Sequence, residues 1–165
     1  MKKIDNFLRA FSNLRDIYDY SEPYGNVELA GLVGLFEICF EQAWKAMKEY
    51  LLDQGFPESR TGSPRQILKT AFECGLIEDE QAWLNALADW NNVSHAYNKD
   101  VALGIIEAAR SSHYEMFQKL ACKFEDDAGM VGVAHKGTPE DAGYAAHRKA
   151  AASATTAAAS GGENV

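Results

Sequence analysis

Residues 29–51, LAGLVGLFEICFEQAWKAMKEYL, decide the fold of this chain. Leu29, Val33, Phe36, Phe40, Ala43, Met47 and Leu51 return at steps of four and three, the repeat of one helix face, and Leu32 and Trp44 widen that stripe. Gly55-Phe56-Pro57 closes the pattern with residues that do not continue a helix. A long apolar helix needs other helices to cover it, and the sequence on either side supplies them. Ile4, Phe7, Leu8, Phe11, Leu14, Ile17 and Tyr18 mark an amphipathic helix over residues 3–20, ended by Pro23 and Gly25. Ser63-Pro64-Arg65 reads as an N-cap followed by proline at the first helical position, and Ile67, Leu68, Ala71 and Phe72 carry a short apolar face to Gly75. A fourth helix starts near Asp79 or Glu80 with Trp83, Leu84 and Leu87 inward. A fifth spans about residues 100–124, with Val101, Ile105, Ala108, Ser112, Met116 and Leu120 on one stripe.

No segment alternates with period two between hairpin signals, so no sheet is expected. Long helices with short connections favour antiparallel neighbours. The expected fold is therefore all-α, an antiparallel up-and-down bundle of four to five helices. Composition places the domain at residues 1–124. From Glu125 onward the last 41 residues hold no Leu, Ile, Phe or Trp. Such an Ala/Gly-rich stretch buries too little apolar surface to offset its ordering entropy, so residues 125–165 are expected to be a mostly disordered tail, with a transient helix over 144–159 at most. His135 and His147 fall in that tail and are expected to be solvated.

Sixteen Lys+Arg against twenty-four Asp+Glu give a formal charge of −8, which argues against a broad electrostatic grip on nucleic acid and leaves room only for a small nucleotide or short-RNA site. Three widely spaced cysteines, Cys39, Cys74 and Cys122, do not form a secreted disulfide framework, and a reducing cytoplasm suits them better. No apolar run is long enough for a membrane span, and Ile4-Asp5-Asn6 after Met1-Lys2-Lys3 is not an apolar leader core, so no secretory leader is expected. The chain also lacks His-Glu-x-x-His, Cys-x-x-Cys, a phosphate loop and the dinucleotide fingerprint, and none of its four histidines carries the Glu-x-x-His spacing of a di-iron bundle. No metal site is expected.

Chemistry concentrates in Asp89-Trp90-Asn91-Asn92-Val93-Ser94-His95-Ala96-Tyr97-Asn98. Asn and Ser support helices poorly, so the helical pattern is expected to break here and turn polar side chains toward a ligand. A plain helix-to-helix connection uses the same residue types. Where helical geometry persists, Asn91, His95 and Asn98 share a face. Ser94 beside His95 lacks an orienting acid and an oxyanion hole. Trp90 adjoins the polar cluster and has a face on which a base can stack, whereas Trp44 and Trp83 belong with the core. Glu37, Glu41, Lys45 and Glu49 flank the long apolar stripe, as a solvated face with a Glu41–Lys45 pair or as the edge of a partner groove.

Three segments in order, Phe36-Glu37-Ile38-Cys39-Phe40-Glu41-Gln42-Ala43-Trp44-Lys45, Gly62-Ser63-Pro64-Arg65 and Ser94-His95-Ala96-Tyr97, resemble the nucleotidyltransferase substrate-binding protein family of the HEPN group of helical bundles. The resemblance covers residues 3–124. It implies a non-catalytic cytoplasmic subunit, a homodimer within a hetero-oligomer. Its partner is a separate minimal nucleotidyltransferase that carries the nucleotide, Mg²⁺ and catalytic carboxylates, with no cofactor in this chain. Trp90, Asn91, Ser94, His95 and Tyr97 would meet nucleotide or substrate, and Glu37, Glu41 and Lys45 the partner. Tyr97 of His95-Ala96-Tyr97 stands where toxin–antitoxin relatives accept AMP. Other relatives are metal-independent ribonuclease toxins, in which His95 would be catalytic, but Trp90 occupies the position of their arginine. An indole gives the phosphate neither charge nor a bidentate fork. The readings are thus a binding subunit, a ribonuclease, or a scaffold whose polar segment only connects two helices.

Overall fold

The computed structural model describes residues 1–130, and every regular element among them is helical. Helix α1 (Lys2–Leu14) tightens into a 3₁₀ turn (Arg15–Asp19), which keeps Ile17 buried while Tyr18 stays accessible. Helix α2 (Asn26–Asp53) is the predicted long helix and buries Leu29, Leu32, Val33, Phe36, Phe40, Ala43, Met47 and Leu51. At its end Gly55 takes φ +91°, which a Cβ would strain, and Phe56 N–H donates to the Leu51 carbonyl at 2.9 Å.

A 3₁₀ turn (Pro57–Arg60) leads to α3 (Pro64–Glu73), which has the predicted cap. Ser63 Oγ accepts from Gln66 N–H at 3.4 Å, and Gln66 Oε1 accepts from Ser63 N–H at 2.9 Å. Ile67, Leu68 and Ala71 are buried as expected, but Phe72 is left 41% exposed, because α3 is a short cover over α2. Helix α4 (Glu80–Asn92) is capped by Asp79 and buries Trp83, Ala86 and Leu87.

The expected fifth helix is two helices joined by a π turn: α5 (Lys99–Ala108), the turn (Ala109–His113) and α6 (Tyr114–Met130). Ala102, Ile106, Ala109, His113, Phe117, Leu120 and Phe124 are buried at steps of three and four, so the inner stripe runs through His113. Ser112, expected on the inner stripe, is exposed, while Ala109 and His113 are buried in its place. Helix α6 also continues past the composition break at residue 124, where Tyr50 Oη donates to Asp127 Oδ2 at 2.7 Å. The tail beyond residue 130 and its two histidines lie outside the described residues.

Helix directions follow from the contacts. Lys3 N–H donates to Glu49 Oε2 at 2.9 Å, so α1 and α2 are antiparallel. Phe7 meets Phe124 while Phe11 meets Tyr114, so α6 opposes α1; Trp83 meets Phe117 while Asp89 meets His113, so α6 opposes α4. This is an up-and-down bundle of α1, α2, α4 and α5–α6, with α3 as the short fifth member.

Burial, reinforced by the hydrogen bond to Asp127 and the charges of Asp127, Cys74 and Asp53, pushes the Tyr50 hydroxyl up to about 12 from 10.0. The folded chain therefore holds this proton more tightly than the unfolded chain. Its contribution to stability is complete below pH 10 and disappears as the pH rises from 10 to 12. Over that interval the urea midpoint of the wild type is expected to fall more steeply than that of Tyr50→Phe. Parallel curves would remove Tyr50 as the cause.

Candidate functional site

The polar segment forms an open corner of the bundle. Helix α4 runs further into it than its Asn-rich composition suggests: Asp89, Trp90, Asn91 and Asn92 are helical, Val93–His95 is a 3₁₀ turn, and Asn98 Oδ1 caps α5 by accepting from Asp100 N–H at 2.9 Å. Packing explains the extension. Trp90, Val93 and Ala96 lie half-buried against the core, and the Trp90 ring sits 5.6 Å from Phe40 at 34°. These contacts hold a sequence with little helical preference of its own in helical geometry.

The polar members face outward together. Asn91, Ser94, His95 and Tyr97 are exposed, Tyr97 at 88%. Amides of Ala96 and Asn98 donate to the carbonyls of Val93 and His95, both at 3.0 Å, so the turn has internal order. The partner of the His95 ring is the Tyr97 ring, edge-on at 6.4 Å. Trp90 is a core anchor as much as a surface ring, and its Nε1–H is buried without an acceptor among the described residues.

On α2, Glu41 and Lys45 form the expected ion pair. Glu37 is half-buried one turn before Glu41, and Lys45 also lies over the Trp44 ring, 5.9 Å from its centroid. The same helix leaves Val27 (87%) and Ile38 (54%) in solvent, with Gly31 exposed and Leu35 half-buried between them.

Sequence reasoning missed the polar groups at the π turn. His113 is 3% exposed and stacks on Phe36 at 5.3 Å, with Nε2 2.6 Å from Asp89 Oδ2. A carboxylate only accepts, so Nε2 carries the proton and donates. Ser112 Oγ lies 3.4 Å from His113 Nδ1 and donates to the Ala108 carbonyl at 3.0 Å. On the turn's other side Tyr18 Oη donates to the Arg110 carbonyl at 2.8 Å, and Arg110 Nη1 donates to Tyr24 Oη at 2.7 Å. The Arg110 guanidinium lies over the Tyr18 ring at 5.8 Å. Burial raises the Tyr18 hydroxyl, with the Arg110 charge acting in the opposite direction. The available signal was a histidine in the four-residue series Ile105, Ala109, His113, Phe117, Ala121. Nothing in the sequence links it to Asp89.

A groove of about 740 Å³ runs between the α3–α4 connection and α6, with Ile77, Trp83, Ser112, Met116 and Lys119 along it. It does not include Asn91, Ser94, His95 or Tyr97. Among the described residues no three His, Cys, Asp or Glu side chains are grouped to hold a metal, and no helix is long and apolar enough to cross a membrane.

These features define an all-α bundle that displays its polar residues on an open corner instead of enclosing them. Residues 2–126 match the family described as nucleotidyltransferase substrate binding protein like, and the chain belongs to that family. The structure is similar to that of HI0074 from Haemophilus influenzae, solved as the fold of a substrate binding domain of a nucleotidyltransferase. The two are 20% identical with a TM-score of 0.64, over 74% of this chain and 98% of that one. It is also similar to ttk003001694 from Thermus thermophilus, at 24% identity and a TM-score of 0.59, over 69% of this chain and 94% of that one. At these identities the likeness is one of fold. No curated protein matches the sequence.

The burial pattern separates anchor from display. Trp90→Ala is expected to cost roughly 2–3 kcal/mol in urea unfolding. Asn91→Ala, Ser94→Ala, His95→Ala and Tyr97→Phe should each stay within about 0.5 kcal/mol of wild type. A large loss at His95 or Tyr97 would show that those side chains support the fold.

Proposed function

We propose that this chain is the non-catalytic, substrate-binding subunit of a two-component cytoplasmic nucleotidyltransferase system. It pairs with a separate minimal nucleotidyltransferase and assembles as a homodimer within the complex. The partner supplies nucleotide, Mg²⁺ and catalytic carboxylates. This chain supplies the corner that carries Trp90, Asn91, Ser94, His95 and Tyr97. The observation that carries the reading, beside the family, is the exposure of four polar side chains at the end of α4 and on the ordered turn that follows it.

An exposed corner cannot exclude water or surround a transition state alone; it becomes a closed site only against a second surface. The uncharged face of α2 around Val27, Gly31, Leu35 and Ile38, continuing into Glu37, Glu41 and Lys45, supports protein contact. In this reading Tyr97 is the acceptor. Its hydroxyl oxygen attacks the α-phosphorus of a nucleoside triphosphate, the bond to the β-phosphate oxygen breaks, pyrophosphate leaves, and the phenolic proton passes to a base on the partner. The ribonuclease alternative is weaker, because Trp90 stands where an arginine would be needed and an indole gives a phosphate no positive charge.

The test is reconstitution of the full chain with the minimal nucleotidyltransferase of its own host, Mg²⁺ and a nucleoside triphosphate, read by size-exclusion chromatography and intact mass. The expected result is a stable complex and one nucleotidyl adduct, absent in Tyr97→Phe and retained in Ser94→Ala. Failure to form a complex, or RNA cleavage by the chain alone that His95→Ala abolishes, would overturn the proposal.

A further inference from the structure

We infer that His113 is a positioning residue for the displayed corner: through Asp89 it fixes the last turn of α4 and with it the place of Trp90, His95 and Tyr97. The inference rests on the reading that this corner meets the partner. Its physical basis is the pairing of a nearly fully buried imidazole with a carboxylate that immediately precedes Trp90.

His113 Nε2 donates to Asp89 Oδ2 at 2.6 Å, a charge-assisted length, and the ring is clamped on Phe36 of α2. The imidazole therefore joins three elements: α2 by its face, the π turn by its backbone, and α4 by its N–H. An apolar side chain of similar size would fill the space beside Phe36 without the desolvation that an imidazole incurs. What the histidine adds is direction, a single N–H aimed at one carboxylate oxygen.

His113 lies with Ala109 on the buried stripe of the π turn, while Ser112 beside it is exposed. Asp89 has the complementary placement. Its side chain is only 28% exposed, and it lies two residues before Asn91 and six before His95. Beside this bond, the corner is tied to the bundle by the partial burial of Trp90, Val93 and Ala96 and by the Trp90 ring against Phe40.

The experiment is amide hydrogen exchange on the full chain, comparing wild type with His113→Leu, which fills the space without a donor, and His113→Gln, whose side-chain N–H can again reach Asp89. In His113→Leu the amides of residues 91–98 are expected to exchange roughly ten- to a hundredfold faster, the scale of one lost hydrogen bond to a charged group, while those of α2 stay unchanged. His113→Gln should recover most of the protection, and Asp89→Ala should reproduce the leucine pattern. Equal exchange at 91–98 in all variants, or acceleration spread evenly over α2, overturns the inference. In the reconstituted system the nucleotidylation rate of Tyr97 should follow the same order. A wild-type chain that binds no partner and accepts no nucleotide overturns the functional reading, and the exchange pattern still decides the role of His113.

Discussion

Covering helix α2 is the constraint on which the rest of the structure depends. Its 28 residues bury ten side chains, and Phe36 and Phe40 are both fully enclosed. A helix with so wide an apolar surface is stable only if other helices remove that surface from water. Helices α1, α3, α4 and α5 pack on α2, and the aromatic contacts show how the layers meet: Phe40 against Trp83 and Trp90 of α4, and Phe36 against Phe117 of α6. The short connections then require the up-and-down order. Among the described residues, the face of α2 around Val27 and Ile38 is left uncovered.

The π turn is the main departure from regular winding, and its effects reach both sides of the bundle. It carries His113 on the buried stripe, a polar ring in an apolar layer. A buried imidazole needs a partner, which α4 provides in Asp89. On the opposite side the turn's Arg110 carbonyl accepts from Tyr18, and the Arg110 side chain reaches Tyr24. One irregular turn thus anchors the segment that follows α1 and the end of α4, which carries the displayed residues.

Much of the fold was legible because it depends on local chemistry that repeats. The α2 stripe, the Ser63 cap before Pro64 and the stop at Gly55 all follow from spacing or from backbone geometry within one turn. Where the reading slipped, tertiary packing prevailed over local preference. Asn91 and Asn92 remain helical because Trp90 packs on Phe40, and Phe72 is exposed because α3 is too short to be enclosed. For the candidate site, Asn91, Ser94, His95 and Tyr97 could be nominated from the sequence, since polar residues gathered at a helix end stand out there. The support beneath them could not, because Asp89 and His113 are 24 residues apart and belong to different helices.

The sequence by itself therefore determined the helices, the direction in which most of them present their apolar faces and the segment that carries polar chemistry. Each depends on side chains a few residues apart, where the geometry of an α-helix makes neighbours predictable. Only the tertiary structure decided that the turn at Ala109–His113 widens and that the His113 N–H meets Asp89 beneath the displayed corner. Those outcomes depend on how helices distant in sequence fit around α2.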